Sequence, residues 1–254
     1  MVPVPVDDLG IRPAELASAL HRGAGALIVT PRAQAATGAA WDAGRAAAIG
    51  DVLRRHPSVG VIEDDHAGPV AGTPAFSAGA CLAGSKHSNG TERWVILRSV
   101  SKSLGPDLRL AVLAGDEATI TRVAGRQALG TGWVSYELQE MVTDLWADPS
   151  VGAQLARAAG IYAGRRDALR SALRRHGITA TGRSGFTCWV PVSDEDGVAS
   201  SLAAAGWAVA PGQRFRIASA PGVRISSARL EQADAASFAA EFARALHHRV
   251  SRLD

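Results

Sequence analysis

Short apolar runs alternating with alanine-rich stretches of helical length constrain this chain more than any other feature. Ala26–Thr30 is followed by a helical pattern near Thr37–His56, then by the runs Val59–Glu63, Trp94–Val100 and Leu110–Ala114. The runs show little polar alternation, as strands do when both faces of their sheet are covered. Strands separated by helices predict an α/β fold with a mostly parallel sheet in a three-layer α/β/α arrangement. Polar or glycine-containing residues follow each run, and in such sheets ligands bind beyond the carboxyl ends of the strands.

The rest of the chain changes character. Helices are predicted at Glu117–Leu129, Ser135–Ala147 and Val151–His176, the last stopped by Gly177 as a left-handed cap. A smaller α+β pattern follows, with strand candidates Phe186–Val190, Trp207–Ala210 and Val223–Ser226 and a closing helix near Gln232–Arg249. We therefore expect a large-domain portion over residues 1–150, a connecting helix over 151–177 and a small α+β domain over 178–254. Val2–Val6 reads as a strand feeding the turn Asp7-Asp8-Leu9-Gly10, so the chain opens inside an element, and the expectation is that a preceding part is missing.

Composition narrows the function classes. The net charge of +3 is carried by arginines scattered along helical stretches such as Arg165-Arg166 and Arg174-Arg175, which read as solvated faces, so this segment is not expected to bind nucleic acid. Cys81 and Cys188 are far apart and lie in no ligand-spaced cluster; neither a disulfide framework nor a metal site is expected, and a reducing cytoplasm fits best. The start has no charged n-region, and no apolar run approaches the ~18 residues of a membrane span. Several weaker motifs fail on context. Asn89-Gly90-Thr91 reads as a turn, and Gly23-Ala24-Gly25 precedes a strand instead of following one. His247 and His248 are adjacent on a helix and cannot share a face. Ser99 and Ser101 have no accompanying His/Asp set for serine hydrolysis.

Lysine usage is the sharper signal. Of the 27 basic residues only Lys86 and Lys102 are lysines. Lys86 lies in a Gly/Ser-rich loop, whereas Lys102 follows the apolar run Trp94–Val100. A desolvated amine can lose its proton and attack a carbonyl, which a guanidinium cannot do. The plainer reading is a surface lysine at a strand end, and other residues must decide between them.

Three polar groups follow successive runs: Thr30-Pro-Arg-Ala-Gln-Ala-Ala-Thr-Gly38, Val61-Ile-Glu-Asp-Asp-His66 and Ser99-Val-Ser-Lys102, with Gly105-Pro-Asp-Leu-Arg109 and a late Val223-Arg-Ile-Ser226. Jointly they resemble the fold-type-I pyridoxal-phosphate enzymes of the class I/II aminotransferase family, and most closely the aminotransferase-like domain of MocR-type regulators of the GntR superfamily. The resemblance runs over essentially the whole chain. It implies pyridoxal 5'-phosphate as cofactor, with Lys102 as its covalent anchor and catalytic residue. Asp64 would face the pyridine nitrogen, and a carboxylate there stabilises the protonated ring. His66, where these regulators often carry Tyr, would bond the ring oxygen. Ser99, Ser101 and Arg109 would hold the phosphate, and Arg224 would grip the α-carboxylate of an amino-acid-like small molecule. A homodimer is implied as well. Taken singly, Asp64 is also an ordinary strand-end aspartate, His66 a loop histidine and Arg109 a surface charge.

Two departures stand out. Where the family commonly shows Asn-Pro-Thr-Gly, this chain reads Ala35-Ala36-Thr37-Gly38; the missing amide removes a ring-oxygen bond worth about 1.5–3 kcal/mol. The family's phosphate cup and the regulators' winged helix-turn-helix would both precede Met1. The expected function is a pyridoxal-phosphate-binding effector domain of a transcriptional regulator in truncated form. A class I/II aminotransferase acting on an amino acid, and a cofactor-free dimerisation remnant, are the competing readings.

Overall fold

The computed structural model describes residues 1–83, 93–130 and 132–247. Lys86, the Asn89–Thr91 turn, His248 and the expected helix end at Arg249 lie outside them. The chain opens on a two-stranded hairpin, β1 (Val6–Asp7) with β2 (Gly10–Ile11). The strand expected at Val2–Val6 is thus reduced to its last residue. Pro3 and Pro5 have no N–H to give a ladder, which disfavours pairing over that run. Helix α1 (Pro13–His21) starts with proline in its first turn, where a missing N–H costs nothing, and buries Leu16, Ala19 and Leu20.

Next come β3 (Ala26–Val29), α2 (Ala43–Arg54), β4 (Gly60–Asp64), α3 (Ala78–Ala83), β5 (Arg93–Ser99) and β6 (Ala111–Gly115). Helix α2 begins later than the alanine pattern suggests. Gln34 Oε1 accepts from the Ala36 and Thr37 amides and the Thr37 hydroxyl, Gly38 turns the chain at φ +66°, and Asp42 caps the helix through the Arg45 amide. The sheet order is β3-β4-β5-β6. The first three strands are parallel, with Val29 opposite Glu63 and Asp64 opposite Leu97, and β6 is antiparallel. The sequence expectation of a mostly parallel sheet therefore holds, with one reversed edge strand.

Helices α4 (Glu117–Ala128), α5 (Tyr136–Ala147) and α6 (Pro149–Arg175) each carry a side-chain cap, from Asp116, Ser135 and Asp148. Helix α6 ends as predicted at Gly177, which adopts φ +74° while the Ile178 amide returns to the Leu173 carbonyl. The antiparallel sheet β7-β9-β8 follows, built from β7 (Thr187–Pro191), β8 (Ala210–Pro211) and β9 (Gly222–Ser226), with α7 (Glu195–Ala204) and α8 (Ala235–His247) packed on it. The run Trp207–Ala210 yields a strand only at its end. Trp207 instead closes α7, its amide donating to the Leu202 carbonyl, and its indole packs edge-on against Phe238.

Two larger apolar cores result, beside two small clusters. One gathers Leu16, Leu27, Ile49 and Val61 beneath the parallel sheet; the other gathers Leu169, Leu173, Val190, Val223, Phe238 and Phe242. They are joined through the loop at residues 182–185. The Gly38 carbonyl accepts from the Arg183 and Ser184 amides at 2.8 and 2.9 Å, and the buried Ser184 hydroxyl donates to the Ala71 carbonyl at 2.9 Å and accepts from the Ala33 amide at 3.1 Å. A Cβ on Gly38 would lie 2.4 Å from the Thr187 carbonyl oxygen, in addition to requiring an alanine at φ +66°. Gly38→Ala is therefore expected to lower the unfolding free energy by at least about 2 kcal/mol. Urea unfolding of the variant checks this; an unchanged midpoint would show that the two loops do not need this close approach.

Candidate active site at the ends of the parallel strands

The carboxyl ends of β4 and β5 lie side by side in the parallel register, and each delivers polar residues to one side of the sheet. Glu63, Asp64, Asp65 and His66 follow one another at the end of β4. Because side chains alternate along extended backbone, Asp64 and His66 point one way, and Glu63 and Asp65 the other. Asp64 and His66 approach each other, with Oδ2 and Nδ1 3.8 Å apart. Burial holds the His66 pKa below its ordinary 6.5; the Asp64 carboxylate opposes that shift, and the Lys102 ammonium adds to it. His66 is thus a neutral imidazole at pH 7, able both to donate and to accept a hydrogen bond. The Lys102 ammonium is thus close enough for its charge to act on the His66 ring.

Lys102 sits in the turn after β5 and is exposed, with no hydrogen bond or ion pair among the described residues. Its amine is accessible to a ligand. Ser99 and Ser101 flank it, their hydroxyls 2.8 Å apart, and Ser99 Oγ also accepts from the Ser101 amide. The two hydroxyls form a small donor cluster beside the lysine. Arg109 does not join them: its guanidinium is exposed and donates at 3.4 Å to the Pro106 carbonyl within its own turn.

Arg224 comes from β9, in the second sheet, yet reaches the loop after β3. Its Nε donates to the Ala35 carbonyl at 2.7 Å, and its guanidinium carbon lies 4.9 Å from the centroid of the Phe215 ring. Burial lowers its pKa from the ordinary guanidinium value, and it remains cationic at neutral pH. Its two terminal nitrogens have no protein partner among the described residues, so the outer edge of the fork remains available to a carboxylate. Of the seven residues singled out from the sequence, Asp64, His66, Ser99, Ser101 and Lys102 lie at or just beyond the ends of the adjacent strands β4 and β5, Arg224 reaches the loop after β3, and Arg109 stands apart. A separate cleft of about 440 Å³ between β6 and α5, lined by Leu110, Val112, Trp133, Val142 and Trp146 among others, contains none of the seven.

Three features escaped sequence reading. Buried Asp65 accepts a two-pronged contact from buried Arg32, Nε to Oδ1 and Nη2 to Oδ2, both 2.8 Å, and a further bond from Arg98 Nε at 2.9 Å. Burial alone would raise the Asp65 pKa, but the bonds and charge of Arg32, with those of Arg98, hold it below the usual 3.8. Glu63, also buried, is raised above its ordinary 4.5 by desolvation, against the opposing bonds from the Gly79 amide, Ser77 and the Ala78 amide. Gln34 organises the loop in which an asparagine was missed. The signal that was available is the run of three acids at a buried strand end, which demands cations; Arg32 and Arg98 stand at the ends of the two adjacent strands. Neither cysteine enters the site, and burial pushes the Cys188 thiol up to about 12, so it is not nucleophilic at neutral pH.

The family model for aminotransferases of class I and II matches residues 1–242 of this sequence. The chain belongs to that family. Among curated proteins it is similar to the vitamin B6 salvage pathway transcriptional repressor PtsJ of Salmonella typhimurium strain LT2, with 38% identity over 248 residues, 96% of this chain and 56% of the repressor. The chain thus spans little more than half the length of that relative. Among solved structures it is similar to the α-aminoadipate aminotransferase LysN of Thermus thermophilus, complexed with N-(5'-phosphopyridoxyl)-L-leucine, at TM-score 0.80 and 21% identity over 99% of this chain and 66% of that one. It also resembles the kynurenine aminotransferase of Pyrococcus horikoshii, at TM-score 0.80 and 18% identity over 98% of this chain and 64% of that one. Likeness at these identities establishes the fold, that of fold-type-I aminotransferases, and no more. No helix among the described residues is long and apolar enough to cross a membrane.

The Asp65 cluster gives the family site a pH signature. The folded pKa is depressed, so the ionic contribution is complete above the unfolded value near 3.8 and is lost as pH falls through the folded value. Thermal unfolding between pH 6 and about pH 2 is expected to fall less steeply in Asp65→Asn than in the parent. Parallel curves would show that Asp65 has the same pKa folded and unfolded.

Proposed function

We propose that this chain is a pyridoxal-phosphate-binding, aminotransferase-like effector module of a MocR/GntR-type transcriptional regulator. The observation that carries the reading is the convergence of a free amine, a neutral imidazole and a carboxylate at the ends of adjacent parallel strands, with a partly free arginine fork reaching the neighbouring loop. The donor set fits the cofactor: an amine for the aldehyde, a carboxylate for the pyridine nitrogen, an imidazole for the ring oxygen and two hydroxyls for the phosphate. When bound, the cofactor supplies an electron sink. Lys102 anchors it, Asp64 holds a proton on the ring nitrogen, and Ser99 and Ser101 donate to phosphate oxygens. Arg109 serves the phosphate only if its side chain leaves the Pro106 carbonyl. Arg224 takes the carboxylate of an amino-acid-like effector through its two free nitrogens.

The preference for a regulator over an enzyme rests on 38% identity with a repressor across 96% of the chain, against 21% or less with the solved aminotransferases named above. DNA contact belongs, on this reading, to a part of the regulator other than these 254 residues. The exposed apolar side chains Trp133, Tyr136, Met141 and Trp146 support a homodimer. Catalysis of transamination is the second reading, favoured by the unengaged Lys102 amine.

Titration of purified protein with pyridoxal phosphate, followed by borohydride reduction and peptide mass analysis, tests the proposal. A visible absorption band is expected in the parent and absent in Lys102→Ala, with the reduced adduct on the Lys102 peptide. Addition of amino acids is then expected to perturb the band without stoichiometric keto-acid release over many turnovers. Sustained release would favour the enzyme, and absence of any band from folded protein would leave the cofactor-free remnant.

A further inference from the structure

We infer that Arg32 is a positioning residue for the cofactor site, acting through Asp65 to fix Asp64 and His66; this rests on the proposed binding of pyridoxal phosphate. Asp65 is the residue between Asp64 and His66, whose side chains leave the backbone on the opposite side, and it lies where the β4 ladder ends. Its amide donates to the Leu97 carbonyl at 2.8 Å, and beyond it the chain turns away into a single 3-10 turn at Gly68–Ala71. The ladder therefore no longer orients the peptide groups at His66. That orientation depends on the Asp65 side chain, anchored on the opposite side of the backbone.

The anchor is asymmetric. Arg32 is buried, with 8% of its side chain exposed, and spends its whole fork on protein: two bonds to Asp65 and Nη1 to the Thr73 carbonyl at 2.7 Å. Arg98, the second partner, is 46% exposed, and both of its contacts go to a single oxygen, Oδ2. A half-exposed guanidinium restrains a carboxylate weakly, whereas a buried two-pronged pair fixes its plane. Arg32 thus ties the loop after β3 and the segment near Thr73 to the end of β4, and sets the direction in which Asp64 and His66 leave the backbone. The charged groups around the cofactor link are then Asp64 and Lys102, with neutral His66, on the facing side, and Arg32, Arg98 and Asp65 behind them; Glu63 points into the core.

The test is pyridoxal-phosphate titration of the full chain at several pH values, reading both the dissociation constant and the pKa of the visible band. A displaced Asp64 no longer holds the ring nitrogen protonated, and the loss of that positive charge raises the pKa of the link. Arg32→Met is expected to weaken binding about tenfold and to raise the band pKa by about one unit. Arg98→Met should move both by markedly less. The double variant Arg32→Met/Asp65→Asn leaves no buried unpaired carboxylate, so its melting temperature should recover towards the parent while the band pKa stays raised. Should Arg32→Met fail to fold, Arg32→Lys, which keeps the charge and loses the fork, carries the same readout.

A merely structural Arg32 would lower the melting temperature and leave affinity and band pKa at parental values; that result overturns the inference. If the parent itself forms no band, the cofactor reading fails first, and the two failures are distinguished by the parent alone.

Discussion

One buried carboxylate holds the working end of this molecule together. Parallel strands end without the hairpins that fix antiparallel ones, so their carboxyl ends must be tied by side chains or loops. Here Asp65 accepts from Arg32 on the loop after β3 and Arg98 on β5, while its own amide extends the β4–β5 ladder. Three strand ends are thereby fixed around one charge. A pair this deep is not a strong source of net stability, because both ions lose their hydration. What it supplies is a single arrangement, since any other conformation of the loop after β3 strands a guanidinium or a carboxylate away from water.

From that point the geometry propagates to the second sheet. The loop after β3 carries Ala33, buried at the uncommon φ of 54°, and then Gly38; both press on residues 182–185. Gly185 leaves no room for a side chain because a Cβ there would meet the Ala33 Cβ at 2.4 Å. Arg166, buried on α6, donates to the Gly185 carbonyl at 3.1 Å from beneath. Main-chain contacts this close leave little freedom for sliding, so the position of β9, and with it Arg224, is referred back to the loop that Arg32 holds. Residues 189 apart in sequence meet there, Arg224 on the Ala35 carbonyl.

Much of this fold is legible in the sequence, for identifiable reasons. The β3, β4, β5 and β6 runs are nearly unbroken apolar segments and were read as strands on that ground, but the expectation that both faces are covered does not hold: β3 buries only alternate residues, with Ile28 exposed, and β6 buries none. Gly177 ends α6 because few other residues accept that backbone conformation. Lys102, Asp64 and His66 were singled out because their spacing after successive strands matches a known family. What escaped was of another kind. Val2–Val6 has strand-like side chains, but its prolines remove the donors a strand needs. The alanines at residues 35–40 look helical until the Gln34 side chain captures the amides of residues 36 and 37 and makes a turn of them. Arg32 was read past because an arginine after a proline carries no periodic signal; its role exists only opposite Asp65, 33 residues away. Arg109 is the converse case: the resemblance and its spacing from Lys102 suggested a phosphate contact, and its guanidinium rests on the Pro106 carbonyl of its own turn.

The site also straddles two regions of unequal packing. Asp64, Asp65 and His66 belong to the side where Val61, Ile49 and Leu16 are almost completely buried. The turn bearing Lys102 is held instead by a small cluster of Val100, Leu110 and Val142, with Leu104, Leu108, Val134 and Leu138 packed against it. Beyond that cluster, α4 buries no residue and α5 only Val142, while Trp133 and Tyr136 remain 77% and 74% exposed. Regions with few buried apolar contacts open at lower free energy than the rest of a fold. On the proposed reading, a ligand linked to Lys102 and contacting Asp64 joins the loose side to the firm one. Its binding energy then adds to the stability of the turn after β5 and of α5 far more than to that of β4. On that reading, the packing of Val100, Leu110 and Val142 is the physical link by which occupancy of the site would bear on the order of the apolar surface that Trp133 and Trp146 present. A module that reports on its ligand through association with another surface needs that coupling; an enzyme that only turns over its substrate does not.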